Sequence, residues 1–163
     1  MKSFYLKATD FIQNHLPSCE YLHALSVSHY AQARMISDGW DSYTVNFVSG
    51  LAMFHDYLEY HGVNSVNKSP ALKEFLNRQS QMLETFGFSV RDAEEILERL
   101  TRRSDEEYGS YIQRCILDCA FTKNARYAYI IKQADMKDHF FRVETLTDAL
   151  RGKYEPYLKY FLE

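Results

Sequence analysis

The sequence predicts an all-α fold. Along most of the chain, apolar residues recur at helical spacing and do not alternate as they would in strands. No pair of strand-like segments flanks a hairpin turn, and only three prolines and six glycines interrupt the chain. A length of 163 residues suits one domain, so we expect residues 1–163 to form a single compact bundle of helices.

Two amphipathic helices are predicted at the N-terminus. The first covers Phe4 to Asn14 and ends before Pro17, because proline cannot continue a helix. Ser18 can cap the second helix, which runs from about Cys19 to Ser37 and stops at Asp38-Gly39. The apolar side of this second helix is expected to carry Leu22, Leu25, Ala33 and Ile36.

The third predicted helix is the most apolar of the chain. It starts near Asp41 or Ser42, continues through the apolar residues between Val45 and Phe54, and ends near His61-Gly62. Because its middle has almost no polar face, we expect it to be the central, buried helix of the bundle.

The remaining helices are predicted from turn and capping signals. Residues 62–69 are polar and form a loop, and Ser69-Pro70 then start a helix that runs to about Glu84. Ser89, followed by an acidic residue three positions later, can cap the next helix. The later predicted helices are Val90–Leu100, Glu106–Cys119, Ala125–Asp138, Val143–Leu150 and Gly152–Leu162.

Composition and charge argue against several classes of protein. A formal net charge of −3 provides no basic field that would attract nucleic acid, although it allows a local cationic pocket for a small phosphorylated ligand. No apolar run is long enough for a membrane span, and no signal peptide is recognisable. The three cysteines lack the paired spacing of a zinc site. We therefore expect a cytoplasmic protein with no membrane partner.

Metal-ligating residue types occur on three predicted helices. The adjacent pair His55-Asp56 lies near the end of the most apolar helix, where an unpartnered charge is costly. His23 and Asp135 lie beside apolar residues on two other helices, and the core of a bundle brings such side chains together. Two imidazoles and two carboxylates suit a divalent transition ion such as Mn, Fe, Co or Ni. Alone, the dipeptide is more typical of a capping or hydrogen-bonded pair at a helix end.

The order His23, His55-Asp56, Asp135 resembles the H…HD…D signature of HD-superfamily phosphohydrolases. Residues 50–59 are similar to the AALLHDxxED segment of RelA/SpoT-type hydrolase domains and of small stand-alone guanosine polyphosphate pyrophosphohydrolases. Residues 21–27 match the context of their first histidine, and residues 100–135 resemble their LTR…Y…YI.R…K.AD pattern. The resemblance covers most of the chain.

This resemblance implies an HD-domain bundle with a metal site in its helical core. The ion, Mn first and Fe, Co, Ni or Mg as alternatives, would be held by His23, His55, Asp56 and Asp135. The implied reaction is hydrolysis of a phosphorylated nucleotide by a metal-activated water, for example removal of the 3′-pyrophosphate from a (p)ppGpp-like substrate.

Glu59 and a set of cations and aromatics are the other candidate site residues. Glu59 follows the ligands at helical spacing, so we expect it to orient the attacking water or to accept its proton. The substrate-binding candidates, each also compatible with an ordinary surface or packing role, are Arg102, Arg103, Lys132, Tyr108, His139 and Arg142.

Three departures from the family pattern leave alternatives open. Tyr60 replaces the aspartate of the acidic pair, and His139 stands where the family has asparagine. By spacing, His29 rivals His23 as the first ligand. The alternatives to an alarmone hydrolase are a nucleotidase or phosphodiesterase for another nucleotide, and a nucleotide-binding or interaction module that has lost efficient catalysis. The aromatic-rich helices are also compatible with a homo-oligomer.

Overall fold

A computed structural model describes residues 2–162 of the chain. Within this range the fold is all-α, which confirms the predicted class, and no strand occurs. The α-helices are α1 (Phe4–His15), α2 (Ser18–Ser37), α3 (Ser42–Met53), α4 (Tyr57–Tyr60), α5 (Pro70–Arg78), α6 (Ser80–Thr85), α7 (Val90–Leu100), α8 (Tyr108–Ile116), α9 (Lys123–Phe141) and α10 (Asp148–Tyr154). Short 3-10 turns cover Val66–Lys68, Val143–Thr145 and Glu155–Tyr160.

Helices α2, α3 and α9 form the centre of the bundle. Helix α3 packs against α1 and α2, while α9 packs against α2, α7 and α8. Nine of the twelve residues of α3 are buried, as its apolar sequence predicts. Helix α9 is also buried on nearly all sides, because the other elements surround it. The two most enclosed helices are therefore neighbours of α2, and functional side chains on these three helices can meet.

Several capping signals act as predicted. The Ser89 hydroxyl accepts from the backbone N–H of Asp92, whose carboxylate accepts from the Ser89 N–H, so the two residues form a capping box. Gly39 ends α2 with φ of +79°, a left-handed conformation that glycine adopts without steric cost. Asp41 then caps α3 by accepting from the N–H groups of Tyr43 and Thr44.

The prediction of one continuous helix from Asp41 to His61 is wrong. Helix α3 ends at Met53, Phe54 to Asp56 form a tight turn, and α4 is a separate single turn. The physical reason is a side chain: Nδ1 of His55 donates to the carbonyl oxygen of Ala52 at 2.8 Å, which satisfies a helix-end acceptor. Glu59 therefore lies on α4 and not on the same helix as the ligands.

The predicted apolar face of α2 is also rotated from the true one. Leu22 and Ile36 are 52% and 62% exposed, and Ala33 is exposed as well. Leu25 is half-buried and packs against the core, as predicted. The fully buried residues of α2 are Ala24, Val27, Ser28, Ala31 and Met35. Most of them are small, which lets α2 pack closely against both α3 and α9. Ser18 is the first residue of α2, and Pro17 occupies the cap position.

Other helix ends differ from their predicted positions. The helix expected to reach Glu84 is interrupted at Gln79, and the helix expected to reach Cys119 ends at Ile116. Near the C-terminus, the bounds predicted for the last two helices, Val143–Leu150 and Gly152–Leu162, are wrong. Helix α10 begins only at Asp148, where Thr147 caps it by accepting from the N–H of Leu150, and it continues through Gly152 to Tyr154. The residues from Glu155 to Tyr160 form a 3-10 turn. No helix within residues 2–162 is both long and apolar enough to cross a bilayer.

Two glycine substitutions test the packing of α1 on α3. An alanine Cβ at Gly50 would lie 2.5 Å from the ring of Phe4, which is buried and cannot swing into solvent. We expect Gly50→Ala to lower the free energy of unfolding by about 1–3 kcal/mol, measured by urea denaturation. At Gly152, in α10, a Cβ meets nothing. Gly152→Ala should raise the free energy of unfolding by roughly 0.5–1 kcal/mol through helix propensity alone. If the two substitutions change the free energy of unfolding by the same amount and in the same direction, the close contact between α1 and α3 is contradicted.

Candidate metal centre

The four predicted ligands converge at one point in the bundle. His23 comes from α2, His55 and Asp56 from the turn after α3, and Asp135 from α9. One ligand atom from each of them lies within 4.8 Å of the other three. His29, the rival first ligand, is exposed on α2 and outside this group, so the structure brings His23 and not His29 to the cluster.

The separations within the cluster are those of atoms that share an ion. Nε2 of His23 lies 3.1 Å from Nε2 of His55 and 3.2 Å from Oδ1 of Asp135. Nε2 of His55 lies 3.2 Å from Oδ2 of Asp56. Ligand bonds of about 2.1 Å place neighbouring ligand atoms roughly 3.0–3.4 Å apart in octahedral or tetrahedral sites. The cluster therefore needs little rearrangement to hold a cation.

The donor set and an unsatisfied oxygen also fit a metal ion. Oδ1 of Asp135 is fully buried and has no hydrogen-bond partner among the described residues. A buried carboxylate oxygen without a partner is costly, and a bound cation would remove that cost. Two imidazole nitrogens with two carboxylate oxygens suit a divalent ion, so this group could hold one, although its composition does not select a particular metal.

The electrostatics of the cluster favour positive charge. Burial disfavours the imidazolium of His23, but the nearby carboxylates of Asp135, Asp138 and Asp56 outweigh it and raise the pKa of His23 to about 12. His55 is likewise buried, yet the carboxylates of Asp56 and Asp135 raise its pKa to about 9. In the absence of metal, protons thus supply the charge that the carboxylates attract. A metal ion would displace those protons.

Both imidazoles are held with Nε2 toward the centre. A carbonyl oxygen can only accept, so the contact with Ala52 fixes the proton of His55 on Nδ1. Nδ1 of His23 donates to Oδ2 of Asp138 at 2.6 Å. Asp138 is in turn held by Arg142, which also donates to Ser26. Because these outer contacts use Nδ1 of each ring, Nε2 is the atom that would bind an ion once its proton is displaced.

Arg142 is therefore not placed as a substrate-binding residue. Its guanidinium contacts Ser26 at 2.8 Å and Asp138 at 3.3 Å, and it lines neither of the two cavities beside the cluster. Arg142 lies one helical turn after Asp138, and its guanidinium contacts that carboxylate rather than a cavity.

Lys132 forms an ion pair with the carboxylate of the predicted metal ligand Asp135. It is buried, and its ammonium contacts Oδ2 of Asp135 at 2.6 Å. Burial opposes its ionisation, but the charge of Asp135 raises the pKa of Lys132 above its ordinary value. Burial also favours the neutral acid of Asp135, yet the Lys132 charge and the surrounding imidazoles hold the pKa of Asp135 well below its usual range. The pair keeps one carboxylate oxygen on Lys132 and leaves the other for the cluster.

A cavity of about 250 Å³ opens beside the cluster. The ligands Asp56 and Asp135 line this cavity together with Lys132. Four further predicted site residues line it as well, namely Glu59, Arg102, Tyr108 and His139. A second cavity of about 280 Å³ shares Glu59 and Arg102 with the first, and Arg103 lines this second cavity only. The other residues of the first cavity are Glu20, Tyr60, Tyr111, Lys153 and Tyr154.

His139 stands at the boundary between cluster and cavity. Its Nε2 lies 3.1 Å from Oδ1 of Asp135, and its ring is 5.0 Å from the ring of His23. The other face of the imidazole stacks on Tyr154 at 4.5 Å. His139 therefore adds a third imidazole next to the ligands without belonging to the four-residue group.

Residues of the site that the sequence did not predict include Glu20, Asp138, Lys153 and Tyr154. Asp138 lies three residues after Asp135 on α9, and that helical spacing could have identified it. Lys153 and Tyr154 carry no comparable signal, because they reach the cavity only through the return of the C-terminal segment over α8 and α9.

The contact between Asp138 and His23 is tested by metal affinity. We expect Asp138→Asn to weaken Mn²⁺ binding roughly tenfold, because the amide no longer holds the His23 imidazole with a full negative charge. Competition with a fluorescent chelator measures the change. Asp105→Asn, on an exposed loop, removes the same charge and should leave the affinity unaltered. Equal affinities for the two variants would contradict an orienting role for Asp138.

No protein-family model, curated protein or solved structure matches this chain.

Proposed function

We propose that this chain is a metal-dependent phosphohydrolase of the HD superfamily that acts on a phosphorylated nucleotide. The observation that carries the proposal is the convergence of His23, His55-Asp56 and Asp135, in the sequence order typical of that superfamily, beside an open cavity. Carboxylates line part of this cavity, and Arg102, Lys132 and Lys153 add positive charge to it. Cations next to a divalent ion suit phosphate chemistry.

The proposed ion is manganese, with Fe, Co, Ni or Mg as alternatives, held by the four clustered side chains. When bound, such an ion supplies Lewis acidity, which polarises a phosphoryl oxygen and lowers the pKa of water. Lys132 keeps Asp135 ionised and oriented. Asp138 orients the His23 ring by accepting from its Nδ1.

Glu59 is the proposed general base. It lines both cavities, and its carboxylate is 3.9 Å from the guanidinium of Arg102. Burial, followed by the nearby Asp56 carboxylate, raises the pKa of Glu59 above its ordinary value. A carboxylate whose pKa moves toward neutrality accepts a proton from the attacking water more readily.

The cations of the two cavities suit a substrate with more than one phosphate group. Arg102 can contact a phosphoryl group near the metal, with His139 and Tyr108 on the same cavity wall. Arg103 and Lys68 line the second cavity and can meet a further phosphate. A guanosine polyphosphate that loses its 3′-pyrophosphate is therefore our first candidate substrate.

Tyr60 favours a second candidate within the same superfamily. Its side chain lines the metal-side cavity and is 49% exposed, where the resembling family has a second carboxylate. A phenol cannot act as that carboxylate, but its ring can stack on a base. The second candidate is thus a nucleotidase or phosphodiesterase that acts on another nucleotide.

A Mn²⁺-supplemented substrate panel tests the proposal. It should contain guanosine 3′,5′-bisdiphosphate, nucleoside mono- and triphosphates and cyclic nucleotides. We expect hydrolysis that Glu59→Gln reduces by about 10²–10⁴-fold in kcat, because the general base is lost. Glu84→Gln, at an exposed site away from the cavity, is the matched control and should leave kcat unchanged.

The products separate the candidates. Pyrophosphate release from the bisdiphosphate supports an alarmone hydrolase, whereas activity confined to the other nucleotides supports the second candidate. A metal-loaded protein that binds nucleotides but hydrolyses none of the panel would contradict both and favour a binding module.

A further inference from the structure

The C-terminal segment, residues 148–162, is fastened across α8 and α9. The side-chain amide of Gln133 donates to the carbonyl oxygen of Phe161 at 2.7 Å, and the Phe161 ring stacks on Tyr129. The hydroxyl of Tyr129 donates to the carbonyl oxygen of Tyr160. Tyr154 is buried against His139. These contacts fix the position of α10, so its side chains are held beside the cavity.

Lys153 is the residue of this segment that brings a charge to the metal-side cavity. Its ammonium lies 4.9 Å from the ring centre of Tyr108 and 5.1 Å from that of Tyr154. Both rings hold the cation by cation–π attraction. Glu59 and Asp135 favour the charged form of Lys153 from a distance, but among the described residues no carboxylate forms an ion pair with it. The ammonium is thus placed at the cavity without a direct ion-pair partner.

Arg102 lines the same cavity and is also weakly paired. Its one described carboxylate contact is with Glu59, at 3.9 Å. Partial burial and then the charge of Arg102 lower the pKa of Lys153, which indicates that the two cations lie within electrostatic reach of each other. Lys132 differs from both, because it is paired with Asp135 at 2.6 Å. Glu59 interacts electrostatically with both cations, but its contact with Arg102 is long and it forms no ion pair with Lys153. A further anion that enters the cavity would therefore stabilise the two like charges.

We propose that Lys153 and Arg102 form an anion subsite beside the metal cluster, which binds a phosphate or pyrophosphate group of the substrate. The C-terminal segment thereby supplies a substrate-binding residue that no local sequence pattern marks. The planar guanidinium offers paired donors to one phosphate edge, and the ammonium of Lys153 adds a point charge. The assignment rests on the proposed function for its substrate class, but the binding of inorganic phosphate does not depend on turnover.

Calorimetric titration of the Mn²⁺-loaded protein with inorganic phosphate tests the subsite. We expect Lys153→Gln to weaken phosphate binding about five- to tenfold, because a charge-assisted contact is lost. Lys153→Arg keeps the charge and should restore binding to within about twofold of the unaltered protein. Thermal denaturation of each variant verifies that the segment remains folded.

Lys159→Gln is the matched control. Lys159 lies on the same segment and contacts the ring of Tyr160 at 5.2 Å, but it lines neither cavity. Its substitution removes the same charge and should leave phosphate affinity within about twofold of the unaltered protein. The subsite is overturned if Lys153→Gln binds phosphate normally, if Lys159→Gln loses as much affinity, or if Lys153→Arg fails to restore it. If the proposed hydrolase function is wrong but the subsite is real, the protein will hydrolyse no substrate of the panel and will still bind phosphate.

Discussion

The buried carboxylate of Asp135 is the constraint on which the rest of the site depends. An ionised carboxylate within a helical core is unstable unless positive charge and hydrogen-bond donors surround it. Here one oxygen contacts Lys132 at 2.6 Å, and the other faces His23 and His139 without a satisfied hydrogen bond. One oxygen of this carboxylate is thus neutralised by Lys132, and the other is available to a cation. For this reason we interpret the cluster as a metal centre.

The break between α3 and α4 shapes the same site. His55 and Asp56 lie in the tight turn after Met53, and both are brought close to Asp135. The bond from His55 to Ala52 satisfies a carbonyl at the end of α3. Glu59 follows on α4 and lines the cavity. Apolar periodicity alone predicted one continuous helix here, because it does not detect a side-chain contact of this kind.

The features that the sequence predicts are those that depend on neighbouring residues along the chain. Helical periodicity and caps such as Ser89 need only residues three or four positions apart. The four ligands are recognisable because polar, metal-binding side chains are costly beside apolar neighbours. The features that the sequence does not predict depend on tertiary packing. The predicted buried face of α2 differs from the observed one because small residues, and not Leu22, pack against α3 and α9. Lys153 reaches the cavity only after the C-terminal segment returns over α8 and α9.

The central claim is that these four side chains hold a divalent ion. The most direct measurement is an anomalous difference map from crystals of the protein grown with manganese. We expect a single strong peak within about 2.0–2.3 Å of Nε2 of His23 and His55 and of carboxylate oxygens of Asp56 and Asp135. A manganese peak bound elsewhere, or an empty cluster in crystals that contain the metal, would contradict it.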